Sequence, residues 1–174
     1  LLLVDEAARA RVMIQRLSEF LRYSLEGDAA AKVTLEEELT SVRAYLEIES
    51  VRFEDRLTIE LSIEAGLASC LVPSLILQPL VENAVKHGIT QSEKPGTVLV
   101  SASRAENDLV LMVSDTGPGF AVDGNDASES GLGWKNTEQR LALQYGDQFV
   151  LARRARQGGG AEVMIKIPMS AEGT

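Results

Sequence analysis

Leu77-Gln78-Pro79-Leu80-Val81-Glu82-Asn83-Ala84-Val85-Lys86-His87-Gly88 is the segment around which the rest of the chain is read. It is apolar and helical in character, yet it carries an acid, an amide, a cation and the chain's only histidine. A helix serving only a core has no use for these groups. Lys86 and His87 alone would suit a helix C-terminus, where cations favour the dipole. That explanation leaves Glu82 and Asn83 unaccounted for. An amide oxygen such as that of Asn83 suits a magnesium ion otherwise held by water and phosphate. Lys86, three residues on, can pair with phosphate. His87, four residues on, shares the Asn83 face and can donate to phosphate or ribose.

Two glycine clusters downstream extend the pattern. Asp115-Thr116-Gly117-Pro118-Gly119 follows an apolar strand. A carboxylate there can accept a hydrogen bond from an adenine amino group, and Gly117 and Gly119 permit close backbone approach to a flat base. A tight turn would use the same residues. Gly131-Leu132-Gly133 stands before an expected helix, Lys135–Tyr145, whose N-terminal amides can hold phosphate. A flexible hinge is the alternative. Neither cluster has the spacing of a Rossmann fingerprint or a P-loop lysine.

Outward from these motifs, the N-terminal third is helical. Ala7, Ala10, Ile14, Leu17 and Leu21 recur at three-four spacing through Val4–Leu25, and Gly27-Asp28 ends that helix. A short loop of small residues follows. Thr34-Leu35-Glu36-Glu37 matches a capping box and opens a second helix, with Leu35, Leu39, Val42 and Leu46 as its stripe, running to about Phe53. The two helices form an antiparallel hairpin. Its narrow apolar faces favour pairing of two hairpins in a four-helix homodimer over folding back on the rest of the chain.

After Asp55-Arg56 the period changes. Leu57, Ile59, Leu61 and Ile63 alternate with polar residues, as in a half-buried strand. Further strands are expected at Thr97–Ala102, Leu109–Ser114, Phe149–Ala152 and Glu162–Pro168. A helix is expected from Pro73 to His87, bent at Pro79 and stopped by Gly88. The expected organisation is α+β: an N-terminal helical hairpin, residues 1–54, and a two-layer α/β sandwich, residues 55–170.

Composition bounds the function. Net charge is −9, so the surface as a whole repels nucleic acid and anionic membrane. A polyanion must be held locally. One cysteine, Cys70, excludes an internal disulfide and suits a reducing compartment, here expected to be the cytoplasm. No apolar run is long enough to span a bilayer. The chain begins at Leu1 without methionine, so a fragment is expected, with room upstream for a membrane-borne sensor.

In order and spacing, these three elements resemble the Bergerat-type ATP-binding domain shared by histidine kinases, gyrase-type ATPases, Hsp90 and MutL. Within that group the Leu77–Gly88 segment is similar, almost letter for letter, to the asparagine box of LytS/YehU-type sensor histidine kinases. Arg16-Leu17-Ser18-Glu19-Phe20-Leu21-Arg22-Tyr23-Ser24-Leu25 resembles the end of that family's first dimerisation helix. Leu35-Glu36-Glu37-Glu38-Leu39, Tyr45-Leu46-Glu47-Ile48-Glu49 and Arg52-Phe53 resemble its second. The resemblance implies binding of ATP with magnesium. Asn83 would hold the metal, Lys86 and His87 would face phosphate or sugar, and Asp115 would read adenine. Gly117, Gly119, Gly131, Leu132 and Gly133 would shape the pocket and a lid, Pro118–Ser130, with Asn136 and Arg140 near its far end. It also implies phosphoryl relay to a response regulator.

Three positions and one absent motif qualify that picture. In the ATPase branches a glutamate four residues before the asparagine activates water; Pro79 stands there, which favours phosphoryl transfer over hydrolysis. The family's phosphoacceptor histidine motif is absent and is expected upstream of Leu1, so this chain by itself is not expected to autophosphorylate. Trp134 replaces a usual leucine, and Ala161 a frequent threonine. Two rival readings stay open: a Bergerat-type ATPase or serine kinase, and a degenerate nucleotide-binding dimerisation module that signals by conformation.

Overall fold

The computed structural model describes residues 31–119 and 132–170. The expected helix Val4–Leu25, most of the expected lid, and Gly131 lie outside the described residues. A three-residue strand, β1 (Lys32–Thr34), leads into helix α1 (Leu35–Phe53). The capping box is formed. The Glu37 N–H donates to Thr34 Oγ1 at 3.2 Å, and the Thr34 N–H donates to Glu37 Oε2 at 2.8 Å. Hydrogen bonding to Thr34 holds the Glu37 carboxyl below its ordinary pKa. Two more N-terminal amides of α1 donate to distant carbonyls, Leu35 to Cys70 at 2.8 Å and Glu36 to Ala68 at 3.0 Å. The helix start is thus fastened to a loop that follows strand β2 (Leu57–Ile63).

Strand β3 (Leu71–Pro73) pairs antiparallel with β1, opposing Val33 to Val72. This ribbon was not expected: the region before Thr34 reads as a loop, and Pro73 as a first-turn helix residue. Three-residue strands carry too little alternation to be read from sequence. Helix α2 begins later than expected and spans Gln78–Asn83. Pro79 lies in its first turn, where a missing N–H costs nothing, so it does not bend a helix interior. Nor does Gly88 stop the helix. The chain continues as a π-helical turn over Ala84–Ile89, with the Thr90 N–H reaching Val85 O at 3.0 Å.

Strands β4 (Gly96–Ala105), β5 (Asp108–Asp115), β6 (Val150–Ala155) and β7 (Ala161–Pro168) join β2 in one sheet of order β2-β4-β5-β7-β6. β2 and β4 run parallel and the other pairs antiparallel. A parallel pair needs a crossover, and the connection between β2 and β4 supplies it, carrying β3 and α2. All five expected strands are present. Helix α3 (Leu132–Tyr145) starts three residues earlier than expected, so Gly133 lies in its first turn.

One face of the sheet is dry. Val98, Val100, Leu109, Leu111, Val113, Ile165 and Ile167 pack in a single cluster with Leu77, Leu80, Val81, Val85, Ile89 and Leu141 from the helical layer. Leu35, Leu39, Val42 and Leu46 of α1 are buried in that same cluster. The stripe expected to face a partner hairpin therefore packs on the chain's own domain, the arrangement the sequence reading ranked second. The heptad-like spacing was correctly seen; spacing alone does not say which apolar surface a helix meets. At about 25 cal/mol per Å² of apolar area, each fully buried leucine contributes roughly 2 kcal/mol to holding α1 there.

Candidate functional site

Asp115 is the last residue of β5 and is buried, 4% exposed. Its Oδ1 accepts from the Gly117 N–H at 2.8 Å and, at 3.4 Å, from the Ala161 N–H at the start of β7. Among the described residues Oδ2 accepts no hydrogen bond. Burial pushes the carboxyl above its ordinary pKa, while the two amides, Arg156 and His87 pull the other way. Arg156 also donates to the Asp115 carbonyl at 3.1 Å. A buried carboxylate with a spare acceptor suits a ligand that brings an N–H of its own.

The surroundings of Asp115 are made of glycine because nothing larger fits. A Cβ on Gly88 would lie 2.5 Å from the Asp115 carboxyl carbon. One on Gly117 would lie 2.3 Å from Gly88, and one on Gly160 only 1.9 Å from the Asp115 carbonyl oxygen. Gly160, at φ +97°, and Gly119, at φ +81°, also occupy the left-handed region. The π-helical turn thus lays its backbone directly against the end of β5. Such turns inside helices recur at functional sites.

The expected residues fall into two groups. Asn83 and Lys86 are exposed on α2 and its π-turn, and His87 is half-buried, its Nδ1 3.3 Å from Gln91 Nε2. These three lie on the element that abuts Asp115 and Gly117, while Gly119 lies against Gly160. Leu132 and Gly133 open α3, and Asn136 is exposed on it. Arg140 is elsewhere: it donates to the Ser74 carbonyl, before the opposite end of α2. Trp134 is half-buried, with the Arg153 guanidinium 5.4 Å from its ring centre. The sequence reading missed Gly88 as a contact residue, and missed Gly160, Ala161 and Arg156 as partners of Asp115. The run Gly158–Gly160 is visible in the sequence, but nothing local ties it to Asp115.

Comparison with known proteins bears on this geometry. The family described as histidine kinase-, DNA gyrase B-, and HSP90-like ATPase matches residues 72–171, more than half of the chain. The histidine kinase family matches residues 1–57. The sensor histidine kinase YpdA of Escherichia coli (strain K12) is 34% identical over 165 residues, covering 91% of this chain and 28% of that protein. The sensor protein LytS of Staphylococcus saprophyticus is 34% identical over 172 residues, covering 94% and 29%. The chain spans less than a third of the length of these curated relatives. Among solved structures, the histidine kinase domain of the Erythrobacter litoralis EL346 blue-light activated histidine kinase superposes with a TM-score of 0.60 at 22% identity, over 82% of this chain and 65% of that one. That likeness shows the shared fold. The glycine-packed carboxylate thus sits in a chain that belongs to the histidine kinase-, DNA gyrase B-, and HSP90-like ATPase family and whose sequence relatives are sensor histidine kinases.

Proposed function

We propose that this chain is the catalytic core of a two-component sensor histidine kinase. It binds Mg-ATP and directs the γ-phosphoryl group to a histidine nitrogen outside residues 1–174, for relay to an aspartate of a response regulator. The observation that carries the reading is Asp115: buried, walled by glycines, and, among the described residues, left with one acceptor oxygen. It would accept from the adenine amino group, while the close backbone at Gly117 and Gly119 leaves room for the ring. Asn83 would hold magnesium, and Lys86 and His87 would face phosphate or ribose. Leu132, Gly133 and Asn136 would meet phosphate from the start of α3.

Magnesium would neutralise phosphate charge and align the transferred group. The chain's own contribution is binding, orientation and exclusion of water. Pro79 stands where an ATPase would place a water-activating acid and has no group to accept a proton. That supports phosphoryl transfer over hydrolysis. We keep residues 1–54 as a dimerisation segment and 55–170 as the catalytic unit, with α1 bridging them through its packing. Cytoplasmic placement belongs to the same proposal; no helix among the described residues is long and apolar enough to cross a membrane.

The test is a titration with Mg-ATP, following heat and Trp134 fluorescence, with GTP as control. Saturable, adenine-selective binding is expected. Equal binding of GTP, or none of either, would refute the pocket.

A further inference from the structure

Glu38 lies on α1 inside a run of three acids, yet it is buried, 1% exposed. Its Oε1 accepts from the Leu75 N–H at 2.6 Å. Its Oε2 accepts from the N–H groups of Ile76 and Leu77 at 3.0 and 3.1 Å. These three consecutive amides form the turn that enters α2. The turn is an awkward one, because Leu75 holds φ at +58°, a region that L side chains rarely adopt. The same turn is gripped from other sides. The Ser74 N–H donates to Ala31 O at 3.1 Å, and Arg140 of α3 donates to the Ser74 carbonyl.

Resting on the nucleotide reading above, we propose that Glu38 is a positioning residue for Asn83, and that it makes α1 and the metal-binding helix move as one body. A carboxylate removed from water is retained only where donors replace the water, and here three donors come from one turn. From that turn to Asn83 is six residues of helix, about 9 Å at 1.5 Å per residue. A helix so short transmits a displacement of its start to its end. α1 is also the segment that sequence likeness assigns to the dimerisation hairpin. Glu38 is therefore the point where a movement of that hairpin reaches the metal ligand, and Arg140 connects the same point to α3.

The test uses Glu38→Gln in the 174-residue chain. The substitution keeps size and one acceptor while removing the charge and the second acceptor. Two quantities are read: amide hydrogen exchange at residues 75–77, and ATP affinity with and without magnesium. A merely structural role would weaken both affinities alike. Positioning of Asn83 predicts faster exchange at the turn and about a tenfold loss of Mg-ATP affinity, the scale typical when a group that orients a metal ligand is removed. Affinity for metal-free ATP should hardly change. Unchanged exchange, or equal loss with and without magnesium, overturns the proposal. Should Glu38→Gln fail to melt cooperatively, Glu38→Asp replaces it, with the same split expected at smaller amplitude and the same results overturning it. An unsubstituted chain that binds no nucleotide would refute the site itself, and this inference with it. Binding without the magnesium split would refute this inference alone.

Discussion

The two ends of the segment from Ser74 to Ile89 are secured in opposite ways. At its start, polar groups do the holding: Glu38 takes three amides and Arg140 takes a carbonyl. At its finish, the holding is steric. Gly88 and Gly117 let two backbones touch beside Asp115, and any side chain would push them apart. The first method uses up the donors and acceptors it engages. Among the described residues, the second leaves one oxygen of Asp115 without a donor, and leaves Asn83 and Lys86 exposed. A helix anchored at one end by hydrogen bonds and at the other by contact presents its remaining polar groups to a ligand at little conformational cost.

Substitutions can break this contrast, beginning with the contact end. Gly160→Ala places a methyl into the Asp115 carbonyl and imposes a left-handed conformation on alanine. The expected loss is about 4 kcal/mol of stability, read by urea melts, with nucleotide binding abolished. Tolerance of that methyl would mean the backbones are not in contact. Asp115→Asn should cost about 100-fold in ATP affinity, about 2.7 kcal/mol, because a donor would face a donor. Calorimetry decides it, and unchanged affinity would reduce Asp115 to a turn residue.

The same residue sets a pH dependence. Its folded pKa is raised by burial above the ordinary 3.8. The folded state therefore binds a proton in a range where the unfolded chain has lost it. From Asp115 alone, stability rises as pH falls through the raised pKa toward 3.8 and gains nothing further below it. ATP affinity should fall over the same interval as the acceptor is neutralised. A matched pH series on Asp115→Asn should lack both trends.

Asn83→Ala should remove the magnesium dependence of ATP binding at a cost of about tenfold, about 1.4 kcal/mol, with little change in melting temperature because the side chain is exposed. Persistence of that dependence would place the metal elsewhere. The smallest effect is at the polar end. Thr34→Ala removes one side of the capping box of α1 and should cost about 1 kcal/mol of stability, with adenine selectivity intact. A much larger loss would mean that docking of α1 depends on its first turn as well as on Glu38.

Local rules carried the sequence reading far. The capping box at Thr34 and Glu37 involves neighbours in the chain, so four letters suffice to specify it. The five strands of the sheet announce themselves by alternation, since one face is dry and the other is not. Asp115 was legible as a carboxylate at the end of a strand; Gly117 and Gly119 were read as admitting a flat base, whereas the contacts present are with the backbones of Gly88 and Gly160. What failed was whatever depended on a distant partner. Gly88 read as a helix stop because glycine often is one; its reason here is the Asp115 carboxyl across the gap. The β1–β3 ribbon joins segments nearly forty residues apart, and neither has a pattern of its own.

Glu36-Glu37-Glu38 shows where the division falls. By itself, the sequence determined that this is the first turn of a helix, rich in acids that suit the dipole, with leucines before and after to be buried. It singled out Glu37 for the cap and left the other two acids alike. Only the tertiary structure decided that Glu36 pairs with Arg43 at the surface and that Glu38 turns inward to the amides of Leu75, Ile76 and Leu77. The physical reason is that burial of a charge depends on donors supplied from elsewhere in the fold, and no local pattern records where those donors will be.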